Sequence, residues 1–281
     1  MDDDNRITPA LDAFLGGDGP RLAAELAEDP GLVNLVWNGN TLLEWATQPP
    51  HGVDSGVVEV LIEGGAHLDR ALNLAACWNL ADLCTQLLAA GADPSARADS
   101  DITPLESAAM HGSTDSADTL VRHGLHRPSL WLAASAGRLD LVTDWVDDRG
   151  RLCKHPGPYR PNWADVGHPA GETPTDEPAE ILGEAFVFAA ANGRLSVVDY
   201  LLDVGISIDS RPYRNTTGLH FAILFKKPDM VGHLLLRGAS SSIADGTHSS
   251  DATGWAEACN DGSRESQQIQ RTIERHADRA G

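Results

Sequence analysis

The sequence predicts an all-α solenoid, a row of about seven to eight stacked helix pairs. Three observations predict it. A segment made of a small helix with paired alanines, a turn, a second apolar helix and a Gly-Ala ending recurs along the chain. The second helix of each copy carries an apolar stripe at helical spacing, as in Leu195, Val197, Val198, Leu201 and Leu202 and again in Leu139, Leu141, Val142, Trp145 and Val146. Glycines (Gly65, Gly91, Gly124, Gly205, Gly238) follow these second helices, where a left-handed terminal residue costs glycine least.

The elements follow in order. The clearest copies run from Ala71 to Asp93 and from Ala185 to Gly205, and a third combines Thr217–Ile223 with Met230–Ala239. The alanine pairs Ala75–Ala76, Ala108–Ala109, Ala133–Ala134 and Ala189–Ala190 let first helices approach closely. A single pair cannot bury its apolar stripe, so the stripe is buried by stacking on the next pair. Repeats open near Thr41, Arg70, Thr103, Pro128, Glu184, Thr217 and Thr253, with a weaker opening near Thr8. A threonine at the opening caps the first helix, and Pro104 suits its first turn.

These segments resemble the ankyrin repeat, whose pattern opens T-P-L-H-x-A-A and closes L-L-x-x-G-A-D over about 33 residues. Thr103-Pro104-Leu105-Glu106-Ser107-Ala108-Ala109 matches the opening and Leu87-Leu88-Ala89-Ala90-Gly91-Ala92-Asp93 the close. The resemblance covers nearly the whole chain. It implies that residues 1–40 form an N-terminal cap repeat, 41–152 and 181–252 carry repeats, and 253–281 form a C-terminal cap whose second helix is polar throughout.

Residues 153–180 interrupt the register. Six prolines between Cys153 and Glu180 exclude a regular helix or central strand there, so the segment reads as a long inter-repeat insertion. Its first half holds His155, Tyr159, Arg160, Trp163 and His168, and its second half is acidic. The resemblance places such loops over the concave side, where this one acts as a lid or binding loop, unless it is a tolerated surface insertion.

Charge narrows the partners. Asp and Glu number 41 against 21 Lys and Arg, a net charge of −20. Such a surface repels phosphate backbones and anionic lipid, so neither nucleic acid nor membrane is expected; a basic protein or a cationic ligand is attracted, unless the acidity serves solubility alone. The opening Met1-Asp2-Asp3-Asp4-Asn5-Arg6 is unlike a signal peptide, and four cysteines without a C-x-x-C pair read as reduced thiols of a cytoplasmic protein. Cys84 and Cys259 read as core filler.

The repeat register aligns side chains along the first helices. The family's variable positions are Pro49, Trp78, His111, Ala136, Asn192, Phe225 and Asp261, and its histidine position is occupied by Glu44, Asn73, Glu106, Trp131, Val187, His220 and Ala256. The resemblance turns the variable positions to the groove, so Trp78, His111, Trp131, Asn192 and Phe225 are candidate contacts, joined by the insertion residues above. Large aromatic groups dominate binding hot spots. Trp45, Trp145 and Trp255 fall at apolar positions and are expected in the core, and His220 is expected to bond within the scaffold. No zinc-ligand spacing, phosphate loop or nucleophile elbow occurs, so no cofactor, metal or catalytic residue is assigned. The resulting expectation is a protein–protein interaction module working through groove and loops, of a kind that fits an inhibitor or immunity-type protein for a basic target. The alternative is an enzyme on this scaffold, with a small-molecule pocket walled by Trp78, His111, Trp131, Tyr159 and Trp163 and closed by residues 153–180.

Overall fold

In the computed structural model the described residues are 3–48, 55–97, 101–124, 126, 128–155, 160, 161, 175 and 177–280. Among them are sixteen α-helices and no strands beyond isolated bridges at Trp37/Asn40, Val146/Leu152 and Tyr213/Thr216. The fold class is all-α, as expected, with helices that follow one another in pairs. The chain divides into two compact units, residues 1–108 with 115–124, and residues 109–114 with 125–281.

The first unit holds α1 (Asp3–Leu15), α2 (Gly19–Glu28), a 3-10 turn at Pro30–Asn34, α3 (Leu42–Ala46), α4 (Ser55–Glu63), α5 (Asp69–Cys77) and α6 (Ala81–Ala89). The pair α7 (Pro104–Met110) and α8 (Thr114–Val121) lies mostly in this unit, but its connecting turn, 109–114, groups with the second. Thr8, expected to open a repeat, sits inside α1, and Pro9 is tolerated one residue later in that helix.

The second unit holds α9 (Leu130–Ser135), α10 (Leu139–Trp145), α11 (Pro178–Ala191), α12 (Leu195–Asp203), α13 (Gly218–Leu224), α14 (Pro228–Leu236), α15 (Ala252–Ala258) and α16 (Arg264–Ala280). α11 begins at Pro178, inside the stretch expected to be loop, because a proline is at home in a helix's first turn. α15 begins after Asp251, whose carboxylate accepts from the Thr253 and Gly254 N–H groups, two residues ahead of the expected opening at Thr253. α16 is polar outward but buries Ser266, Ile269 and Ile273.

Three of the threonine openings cap as expected. Thr41 Oγ1 accepts from Glu44 N–H at 3.3 Å while Glu44 Oε2 accepts from Thr41 N–H at 2.9 Å. Thr103 and Glu106 repeat this reciprocal box at 3.3 and 2.8 Å. Thr217 repeats it with His220, whose Nδ1 accepts from Thr217 N–H at 3.2 Å. Each box satisfies two otherwise orphaned donors. All eight paired alanines are fully buried, and the five glycines after second helices have φ between 86° and 106°.

Cys84 is core as expected, and burial pushes its thiol up to about 11. Cys259 is only half-buried, and Leu195 is 40% exposed rather than part of a buried stripe. Trp145 is core, with Lys154 Nζ lying 4.4 Å from its ring centre. Trp45 and Trp255 are half-buried rather than core, since each indole N–H must reach an acceptor. Trp45 donates to Trp37 O at 3.0 Å and Trp255 to Asp245 Oδ1 at 3.2 Å.

Candidate functional site

The groove residues divide between the two units. In the second unit α11 lies along α9 and α13, and aromatic rings fill the seam. Trp131 meets Phe188 at 5.2 Å between ring centres, Phe188 meets Phe221 at 6.1 Å, and Phe221 stacks on Phe225 at 6.0 Å. Trp131 is 4% exposed. It is therefore a core group, contrary to the expectation that it anchors a partner or walls a pocket. Its first-helix position is a buried one throughout, as Glu44, Asn73, Glu106, Val187 and His220 show, and the Phe188 ring packs against the indole.

His111, Asn192 and Phe225 are brought together, but around the chain's own backbone. Asn192 Nδ2 donates to Ala109 O at 2.8 Å and to Phe188 O at 3.0 Å. Thr114 Oγ1 donates to Asn192 O at 3.1 Å, and Lys227 Nζ donates to Thr114 Oγ1 at 2.8 Å. Gly112, with φ of 62°, sits so tightly that a Cβ there would lie 2.5 Å from Phe225 Cγ and 3.0 Å from Ala191 O. The turn 109–114 thus occupies the variable positions of the Glu184 and Thr217 repeats. Asn192 is fully buried as a result, which corrects its assignment as a partner contact, and its Oδ1 has no hydrogen-bond partner among the described residues. His111 and Phe225 remain half-buried beside that turn.

Arg160 is also turned inward. Its guanidinium makes a two-pronged pair with Glu184, Nε and Nη2 each at 2.7 Å from a carboxylate oxygen, and Nη2 reaches Glu180 at 3.1 Å. Nη1 donates to Thr175 O at 2.6 Å, and Thr175 N–H and Oγ1 donate to Glu180. The side chains of Arg160 and Glu184 are 15% and 2% exposed, so the charges are paired inside the fold rather than offered outward. These contacts tie both flanks of the insertion to α11. His155 is exposed. Tyr159, Trp163 and His168 lie outside the described residues, as does Pro49.

His220 is scaffold, as expected. It is 1% exposed and packs edge-on against Trp255 at 5.3 Å. Burial holds its pKa below the ordinary 6.5, against the opposing pull of Asp245. Burial would raise Asp245, but N–H groups of Ser250, His248 and Thr247 and the Trp255 indole outweigh it and hold that carboxyl well below its usual range.

In the first unit Trp78 faces outward. It ends α5, is 50% exposed, and is the only exposed tryptophan among the described residues. The next residue, Asn79, fixes its position. Asn79 has φ of 58°, its Oδ1 accepts from the Asp115 and Ser116 N–H groups at 3.0 and 3.1 Å, and its Nδ2 donates to Asp115 Oδ2 at 3.0 Å. One amide thus serves as an external cap for α8. Neither Asn79 nor Glu184, named above only as a repeat opening, is among the expected site residues. For Glu184 a signal existed, a carboxylate at the opening position where Thr41, Thr103 and Thr217 stand in sister repeats.

A crease of about 190 Å³ between α14 and α16 is lined by Gly232, Leu235, Leu236, Thr272, Arg275 and His276, none of them predicted site residues. It is smaller than the roughly 300–1,000 Å³ usual for small-molecule pockets. Among the described residues no three His, Cys, Asp or Glu side chains group as metal ligands, and no helix is long and apolar enough to cross a membrane.

Comparison with known proteins bears on residues 186–232, which match the family model described as ankyrin repeats (many copies). No curated protein matches the chain. The crystal structure of the human ASB11 ankyrin repeat domain aligns over 94% of this chain and 97% of its own, with 17% identity and a TM-score of 0.44. The match shows ankyrin repeats at residues 186–232, in register with capped helix pairs before and after that stretch.

Proposed function

We propose that the chain is a protein–protein interaction module for a basic partner, working in the cytoplasm as an inhibitor or immunity-type protein that covers a cationic target. Ankyrin repeats generally serve as scaffolds for protein contacts. The observation that carries the finer reading is the net charge of −20, from 41 acidic against 21 basic side chains. A field of that sign speeds encounter with cationic surfaces and selects against anionic ones. The thiols of Cys84, Cys153 and Cys259 accord with a reducing compartment.

The test is capture of partners from a cell extract on the immobilised chain at low and high ionic strength, followed by isoelectric ranking of what is retained. Basic proteins that elute as salt rises support the reading. Retained proteins that are acidic, or whose retention ignores salt, refute it.

A further inference from the structure

The negative charge is not spread evenly. Residues 1–108 and 115–124 carry 20 Asp and Glu against 5 Lys and Arg, whereas the second unit carries 21 against 16. The first unit therefore holds −15 of the −20 in well under half of the chain. Three of its cations are already committed to carboxylates, Arg6 to Asp29, Arg70 to Glu44 and Arg97 to Asp101. The same unit presents Trp78, half exposed. In the second unit, by contrast, Trp131 and Asn192 are buried and Arg160 is paired internally.

Trp78 is well placed to meet a cation. It ends α5 beside Asn79, whose amide bonds fix the turn, so little main-chain freedom is lost on binding. Asp115 is hydrogen-bonded to Asn79, and Asp82 follows in the first turn of α6; both carboxylates are exposed. An indole face attracts ammonium and guanidinium groups more strongly than other aromatic rings do, and nearby carboxylates raise the local concentration of cations.

We infer that the first unit is the docking surface for a basic protein segment, with Trp78 as the anchor on which a Lys or Arg side chain lies and Asp82 and Asp115 as its flanking charges. This rests on the basic-partner reading above and gives it a place. Charge complementarity selects the occupant.

The test uses the full chain and a fluorescein-labelled dodecapeptide of alternating Lys, Gly and Arg, read by anisotropy at ~50 and ~300 mM salt. An acidic peptide of equal length is the comparison. Wild type binds the cationic peptide and loses affinity as salt rises. Trp78→Ala weakens binding about five- to tenfold, Trp78→Phe recovers part of the loss, and Asp82→Asn with Asp115→Asn lowers both affinity and salt slope. Leu236→Ala, an 83% exposed apolar group of the second unit, leaves binding unchanged. Thermal melts confirm that each variant is folded. If wild type binds but the folded Trp78→Ala protein binds equally well, the location is wrong and the basic-partner reading stands. If wild type binds the cationic peptide no better than the acidic one, that reading itself fails.

Discussion

Replacing Gly112 with alanine tests whether the chain fills its own groove. Gly112 and Gly193 occupy equivalent turns between first and second helices, with φ of 62° and 68°. An L residue in that conformation costs about 1 kcal/mol at either position. The surroundings differ. A Cβ on Gly193 would meet nothing nearer than Lys227 Cδ at 3.7 Å, an ordinary contact with a flexible chain. A Cβ on Gly112 would lie 2.5 Å from Phe225 Cγ and 2.6 Å from its Cβ, and that ring is stacked on Phe221. Overpacking of this kind adds roughly 1–3 kcal/mol. Gly193→Ala should therefore lose about 1 kcal/mol and Gly112→Ala about 2–4 kcal/mol. Urea unfolding followed by far-ultraviolet circular dichroism measures both. Equal losses in the two variants would mean that the turn 109–114 does not rest on Phe225, and the account of Asn192's burial would go with it.

Three other predictions concern the second unit. His220 binds its proton less readily folded than unfolded, so stability rises with pH between the lowered folded pKa and 6.5 and is lost on acidification through that window, at up to about 1.4 kcal/mol per pH unit. In urea titrations between neutral and mildly acidic pH, His220→Gln should flatten this part of the profile; an unchanged slope rules His220 out as its source. Arg160→Ala leaves the Glu184 carboxylate buried without its cation and should cost about 3–5 kcal/mol, with Arg160→Lys intermediate because an ammonium cannot make both prongs; a loss below about 1 kcal/mol would show the pair to be solvent-screened. Trp131→Ala should cost about 3–5 kcal/mol, as for a core aromatic, and a near-neutral melt would return it to the surface.

Local chemistry was the readable part of this chain. Thr41, Thr103 and Thr217 announced their caps because a capping box spans only three residues. Paired alanines and terminal glycines marked close approach and left-handed turns directly. What stayed hidden depends on residues far apart or on how far an element extends. Trp131 holds the register position that Glu44, Asn73, Glu106 and His220 fill in other repeats, and polar occupants of that kind hide the fact that every one of them is buried. Prolines that excluded a helix within the insertion also started one at its edge. Asn79 and Lys226 take the left-handed turn that glycine takes at 112, 137 and 193, so composition alone did not mark those turns. At the candidate site, exposure separated Trp78 from Trp131, although both are tryptophans on first-helix register positions. The repeat pattern pairs neighbours about 33 residues apart and says nothing of a turn that meets Asn192.

The bonds from Asn192 to Ala109 and from Lys227 to Thr114 close loops of 83 and 113 residues. A simple array of repeats folds by propagation, each unit templating the next, with low contact order and fast kinetics. Here the α11 and α13 hairpins can zip up early, but their inner seam is sealed only when a segment synthesised much earlier returns to it. Closing such loops costs entropy before any contact rewards it. Refolding should accordingly show a slow final phase that speeds or vanishes when Asn192 and Lys227 are truncated together. Fragments cut at repeat boundaries should be less stable than the sum of their repeats implies.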